Sequence, residues 1–194
     1  MPRFVLASAS PARLRLLRQA GFAPEVVVSG VDEALDIADT AELARVLAEH
    51  KATAVAPGVP GAVVVGCDSL FEIDGERRGK PSSPAEALAW ARSSRGRSGL
   101  LHTGHCVVDT RTDRRAAAVS TTVVRFGHAT DEELEAYVAS GEPLLVAGGF
   151  TLDGRSAPFV DGVDGDPGNV VGLSLPVLRR LLAEIDVRIT DLWS

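Results

Sequence analysis

Apolar residues recur along this chain with two different periods, and each change of period marks an element. Phe4 to Ala7 is a short apolar run that reads as a strand. Ser10 and Pro11 follow as an N-cap and a proline at the first helical position, so a helix is expected up to Gly21. Asp39, with Glu42 three residues later, opens a second helix from Thr40 to about Val55. On it Leu43, Val46, Leu47, His50 and Ala54 fall on one stripe, which assigns His50 to the core. Lys51 then lies at the stripe's edge, about 85° from its centre at 100° per residue.

Gly61 to Cys67, with Val63, Val64 and Val65 in succession, lacks polar alternation and reads as a fully buried strand. Asp74-Gly75 is the two-residue turn of a hairpin between Leu70–Ile73 and Glu76–Arg78. Extended by a constant sum, that register sets Ile73 opposite Glu76, Phe71 opposite Arg78 and Ser69 opposite Lys80, which brings Asp68 beside Lys80. Ser83 with Glu86 starts a third helix. Leu100 to Thr110 and Ala116 to Phe126 read as antiparallel strands joined by the turn Arg111 to Arg114, and Thr130 with Glu133 caps a helix that stops at Gly141. A glycine-rich stretch from Ala147 to Gly172 precedes a last helix near Leu175 to Glu184. Inside it, Asp161 to Asp166 reads as turn chemistry, since it lacks the spacing and closing Glu of an EF-hand. Strands and helices mixed in this way predict an α/β (mixed α+β) fold around a mixed sheet. The pattern leaves the strand order open.

No repeat or linker divides the 194 residues, so residues 1–194 are read as a single domain. With 45% hydrophobic and 24% charged residues a packed core is expected. A net charge of −6 argues against coating nucleic acid, which takes many Lys and Arg contacts to phosphate. The N-terminus has no signal-peptide h-region and no apolar run can span a bilayer, so a cytoplasmic protein without a membrane partner is expected. Cys67 and Cys106 are far apart and are read as buried free thiols. His102, His105 and Cys106 are metal-ligating types close together, but on a strand the two histidines point to opposite faces, which argues against a metal site.

Candidate chemistry gathers at three places. Ser8-Ala-Ser10-Pro-Ala-Arg13 puts hydroxyls and free backbone N–H groups at a helix N-terminus, where the dipole can receive a phosphate. Taken alone it is equally an ordinary Ser cap, yet Arg13 opposes that dipole and calls for an anionic partner. Asp68 leaves a buried valine strand next to an ammonium, which fits either a site or a structural ion pair. Lys51 can snorkel to solvent or reach into a cleft. Glu33, between Ser29 and Asp36, adds a carboxylate, and Arg92, Arg95 and Arg97 read as a solvated helix end.

Several stretches in order along the chain, Leu6-Ala-Ser-Ala-Ser-Pro-Ala-Arg13, Val65-Gly-Cys-Asp-Ser69, Gly79-Lys-Pro81, Tyr137 to Pro143, Ala147-Gly-Gly-Phe150 and Asn169-Val-Val-Gly-Leu173, together resemble the Maf family. That family is linked historically with septum formation and includes nucleotide pyrophosphatases. The resemblance implies a mixed central sheet flanked by helices, with two lobes around a deep cleft. It also implies hydrolysis of a nucleoside triphosphate to the monophosphate and pyrophosphate, with a divalent cation, Mg²⁺ or Mn²⁺. By position, Asp68 matches the catalytic aspartate and a metal ligand, with Glu33 a second. Ser8, Arg13, Glu33, Lys51 and Lys80 match polar pocket residues, and Ser10 and Asp153 complete the substrate-binding set. A homodimer is compatible with the resemblance. Two positions depart from the pattern: Ala12 replaces a frequent Arg, and Asp153 replaces a frequent Gln that can donate as well as accept. An acceptor-only Asp153 suits the N1–H and N2–H donors of a guanine edge and equally the N3–H of uracil or thymine, so the base stays open between dTTP or UTP, given first, and 7-methyl-GTP as the alternative. A non-catalytic nucleotide-binding regulator of division is the reading from a different class.

Overall fold

The computed structural model describes residues 2–194. Seven strands run through them: β1 (Arg3–Leu6), β2 (Glu25–Val26), β3 (Ala62–Ile73), β4 (Glu76–Arg78), β5 (Ser98–Asp109), β6 (Arg114–Phe126) and β7 (Val160–Asp164). The helices are α1 (Pro11–Gln19), α2 (Thr40–Val55), α3 (Pro84–Ser94), α4 (Asp131–Ala139), α5 (Pro167–Val171) and α6 (Leu175–Glu184). The strands form one mixed sheet in the order β2-β1-β3-β5-β6-β7, with β4 paired to the far half of β3. β1 runs parallel to β2 and β3, and the remaining pairs are antiparallel. No helix among the described residues is long and apolar enough to cross a membrane.

Side-chain caps set the helix starts where the sequence places them. Ser10, Asp39 and Ser83 each accept from the backbone N–H three residues on, and Thr130 and Glu133 form the reciprocal capping box. α6 begins at Leu175, capped by Ser174. The hairpin register is also as expected, with Ile73 opposite Glu76 and Phe71 opposite Arg78.

The three long strands β3, β5 and β6 carry two cores. The first half of β3, the second half of antiparallel β5 and the first half of β6 are covered by α6 and α1 on one face, around Val63, Val65, Cys67, Leu178 and Leu181. On the other face α2 packs Ala48 and Ala52 over Val64 and Cys106. The second half of β3, the first half of β5 and the second half of β6 pack with the glycine-rich segment around Phe71, Phe126 and Phe150, whose rings meet edge to face at 5.0–5.8 Å. There α3 and α4 pack against each other, and Arg78 of β4 lies over the Trp90 ring of α3 at 5.6 Å.

Four expectations change. β3 is one continuous strand rather than two pieces, because β5 pairs with it from Val63 through Glu72 and keeps Asp68 and Ser69 extended. Asp161 to Asp164 lies in edge strand β7 and not in a turn. It pairs only with β6 and its residues are intermediate or exposed, so it carries no apolar signature. The buried face of α2 consists of Thr40, Leu43, Ala44, Leu47, Ala48, Lys51, Ala52 and Val55, rotated by roughly 90° from the stripe of large residues. His50 is thus exposed rather than in the core, and Lys51 sits in the middle of the buried face instead of at its edge. Close approach is the reason. A Cβ at Gly66 would collide with the α2 main chain at Ala48 and Ala52, and one at Gly104 with Ala44 and Arg45. The helix lies so near the sheet that alanines fill the contact.

Candidate active site

β3 has a gap along one edge. β1 pairs with it only as far as Val65, with Ala7 adding one N–H bond to the Val65 carbonyl, and β4 begins at Phe71. Residues 66–70 therefore have a strand neighbour only on the β5 side. Asp68 and Ser69 lie in this gap and, as successive strand residues, face opposite ways. Asp68 shares the α2 face with Gly66, and Ser69 shares the α1 and α6 face with Cys67.

On the α1 face stands Arg13, only 8% exposed. Its Nε donates to the Gly172 carbonyl at 2.7 Å, Nη1 to Ser8 Oγ at 2.9 Å and Nη2 to Ser69 Oγ at 2.9 Å. Gly172, at φ +125°, comes so close that a Cβ would lie 3.2 Å from Arg13 Nε. Among the described residues no carboxylate pairs with this guanidinium, and the first turn of α1 contains no acidic residue. A buried cation held by neutral oxygens at the positive end of a helix is electrostatically incomplete, and an anion completes it. Of its five N–H donors three are used, leaving two for a ligand.

On the α2 face Lys51, 9% exposed, pairs with Asp68, itself 7% exposed. The same ammonium pairs at 2.6 Å with Glu33, whose side chain is more than half exposed. Two carboxylates thus converge on one cation. Their hard oxygens suit Mg²⁺ or Mn²⁺. The described residues contain no cluster of three His, Cys, Asp or Glu able to hold a metal by itself. Asp68 and Glu33 would supply carboxylate oxygens to a divalent cation, which would neutralise charge on a bound phosphate chain.

Ser8, Arg13, Glu33, Lys51 and Asp68 are brought to the gap. Ser10 is next to it, and its hydroxyl oxygen caps α1 by accepting from the Arg13 N–H. The expected pairing of Ser69 with Lys80 is not formed. The β3–β4 ladder ends at Phe71 and Arg78, Lys80 lies beyond it in an exposed loop, and the ammonium beside Asp68 is that of Lys51. Asp153 is bound by Arg15 of α1 and by the Thr151 hydroxyl. Burial works to raise its pKa, but these hydrogen bonds outweigh it and hold the carboxyl below its usual range. His102 and His105 do face opposite ways: His102 contacts Thr121, and His105 accepts from the Ser174 N–H at 2.8 Å. Burial pushes the Cys67 thiol up to about 11, and both cysteines are free and buried.

The sequence reading missed Ser69, Thr103, Asn169 and Gly172 as parts of this site. Ser69 and Asn169 stand inside the stretches that carried the resemblance, and hydroxyls on a strand otherwise filled with valine were the available signal. A family model described as Maf-like protein matches residues 3–185. The chain is 64% identical over 195 residues to the nucleoside triphosphate pyrophosphatase of Streptomyces coelicolor, covering 99% of this chain and 95% of that one. It is 54% identical to the protein of the same name from Salinispora tropica, over 99% and 88% of the two chains. The corresponding match in Rippkaea orientalis is 45% identical over 100% and 94%.

Proposed function

Since the chain belongs to the family of Maf-like proteins, we propose that its gap site hydrolyses a nucleoside triphosphate between the α- and β-phosphates. It is a nucleoside triphosphate pyrophosphatase, a hydrolase of phosphoric anhydrides. The observation that carries the reading into this site is Arg13, a buried cation without a carboxylate partner at the start of a helix. A polyanionic phosphate chain supplies the missing charge.

Arg13 with Ser8 binds the phosphates through its two remaining N–H groups. Lys51 positions Asp68 and adds positive charge at the reacting centre. Asp68 orients a water and takes its proton. As the water oxygen bonds to the α-phosphorus, the bond from that phosphorus to the bridging oxygen breaks, and pyrophosphate leaves with the electron pair. A divalent cation held by Asp68 and Glu33 together with phosphate oxygens would supply Lewis-acid neutralisation of the charge that develops. Uracil or thymine is the preferred base in this reading, with acceptor-only Asp153 meeting the N3–H donor.

The test is pyrophosphate release from UTP, dTTP, the other common nucleoside triphosphates and 7-methyl-GTP, with Mg²⁺ or Mn²⁺ and with chelator. Metal-dependent release led by UTP or dTTP is expected, and Asp68→Asn should slow it by about 10²- to 10⁴-fold. A folded protein with no turnover would overturn the enzyme reading. A lead by 7-methyl-GTP would overturn the proposed base preference.

A further inference from the structure

The hydrogen bonds behind Arg13 have a direction that proton counting fixes. A threonine hydroxyl has one proton, and that of Thr103 goes to the Asn169 carbonyl at 3.1 Å. Thr103 Oγ1 must therefore accept in its 2.9 Å contact with Ser69 Oγ. The single Ser69 proton is spent there, so Ser69 meets Arg13 Nη2 as an acceptor. Protons thus point one way, from Arg13 to Ser69 to Thr103 to the Asn169 carbonyl. The far end is fixed to the sheet, because Asn169 Nδ2 lies within hydrogen-bond reach of Leu101 O, Ser120 O and Thr122 Oγ1, at 3.1, 3.2 and 3.0 Å, and its two protons are shared among these three acceptors. Ser69 and Thr103 are directly opposite in the β3–β5 register, and Thr103 is fully buried.

We infer that Thr103 is a positioning residue for phosphate binding: it fixes Ser69 as an acceptor and so holds the Arg13 guanidinium in place with its two remaining N–H groups turned to the substrate. This rests on the phosphate-binding role given to Arg13 above. Without the Thr103 hydroxyl the Ser69 proton has no fixed destination, and Arg13 loses an oriented acceptor rather than its charge. The loss falls on binding of the phosphate chain and not on the chemistry at Asp68, which sits on the other face of β3.

The experiment is calorimetric titration of the whole protein with UTP and with inorganic tripolyphosphate, beside kcat and KM. Thr103→Val is expected to weaken both ligands about three- to tenfold, the range of one oriented hydrogen bond, and to raise KM with kcat little changed. Thr103→Ser should restore wild-type affinity. In an Arg13→Lys background, Thr103→Val should add nothing further. Ser69→Ala, which leaves the Thr103 to Asn169 bond intact, should reproduce the loss if Thr103→Val does not fold. Wild-type affinity in Thr103→Val or Ser69→Ala, or an undiminished Thr103→Val effect in the Arg13→Lys background, would overturn the inference alone. Failure of the wild-type protein to bind either ligand would overturn the phosphate-site reading and this inference with it.

Discussion

His105 shows how a titratable side chain can be used as a neutral fastener. It is fully buried, its Nδ1 lies 3.0 Å from the Thr103 carbonyl, and its Nε2 accepts from the Ser174 N–H that begins α6. Burial first, and then the Arg13 charge, press its pKa down to about 4, with Arg180 adding to the effect and Asp166 opposing it. The folded pKa lies below the unfolded value near 6.5, so the unfolded chain binds the proton first. The contribution is full above pH 6.5 and is lost as pH falls toward 4, about 3 kcal/mol over that window. Thermal unfolding from pH 7 to pH 4 should show a steeper fall in Tm for the wild type than for His105→Gln. Equal slopes would remove His105 from the acid sensitivity. Neither this role nor that of Thr103 is legible in the sequence, since both need partners on distant elements. Asp68 and Arg13 are legible because each is a charge in a place that is costly for it, one leaving a buried strand and the other opposing a helix dipole. The expected pairing of Ser69 with Lys80 does not form because the two-stranded ladder ends at Phe71 and Arg78, an end point that no local pattern in the sequence marks.

At the scale of elements, the contact of α2 with the sheet sets the geometry of the site. Gly66 and Gly104 admit the helix backbone, and that depth lets Lys51 reach Asp68. Gly104→Ala should cost about 1–3 kcal/mol by overpacking and should also lower turnover, because α2 cannot stay seated. Thr130→Ala, which removes the cap of α4 away from the gap, should cost about 1 kcal/mol and leave turnover unchanged. Calorimetric unfolding beside an activity assay separates the two. An active Gly104→Ala protein of wild-type stability would contradict the close-approach account. Helix starts could be read from the sequence because caps are local chemistry. The facing side of α2 could not, because large residues dominate a periodicity count while here the contact is made by alanine against glycine. Edge strand β7 was hidden for a related reason: with one neighbour and a half-exposed face it shows no apolar alternation.

In the molecule as a whole, three long strands pass from one core to the other, and the gap between β1 and β4 leaves the middle of β3 open along one edge. Arg13 and Asp68 approach it from opposite faces of the same strand. In the proposed reaction, the buried cation on one side and the paired carboxylate on the other hold the phosphate chain apart from the group that handles water. The mixed fold class was visible in the alternation of periods. The order β2-β1-β3-β5-β6-β7 was not, because strand neighbours depend on contacts that no local pattern records. Whether water attacks the α-phosphorus at this gap is decided by hydrolysis of UTP in ¹⁸O-labelled water, with mass analysis of the products. Attack at the α-phosphorus puts one labelled oxygen in the monophosphate and none in pyrophosphate. Label in pyrophosphate, or release of orthophosphate, would contradict it.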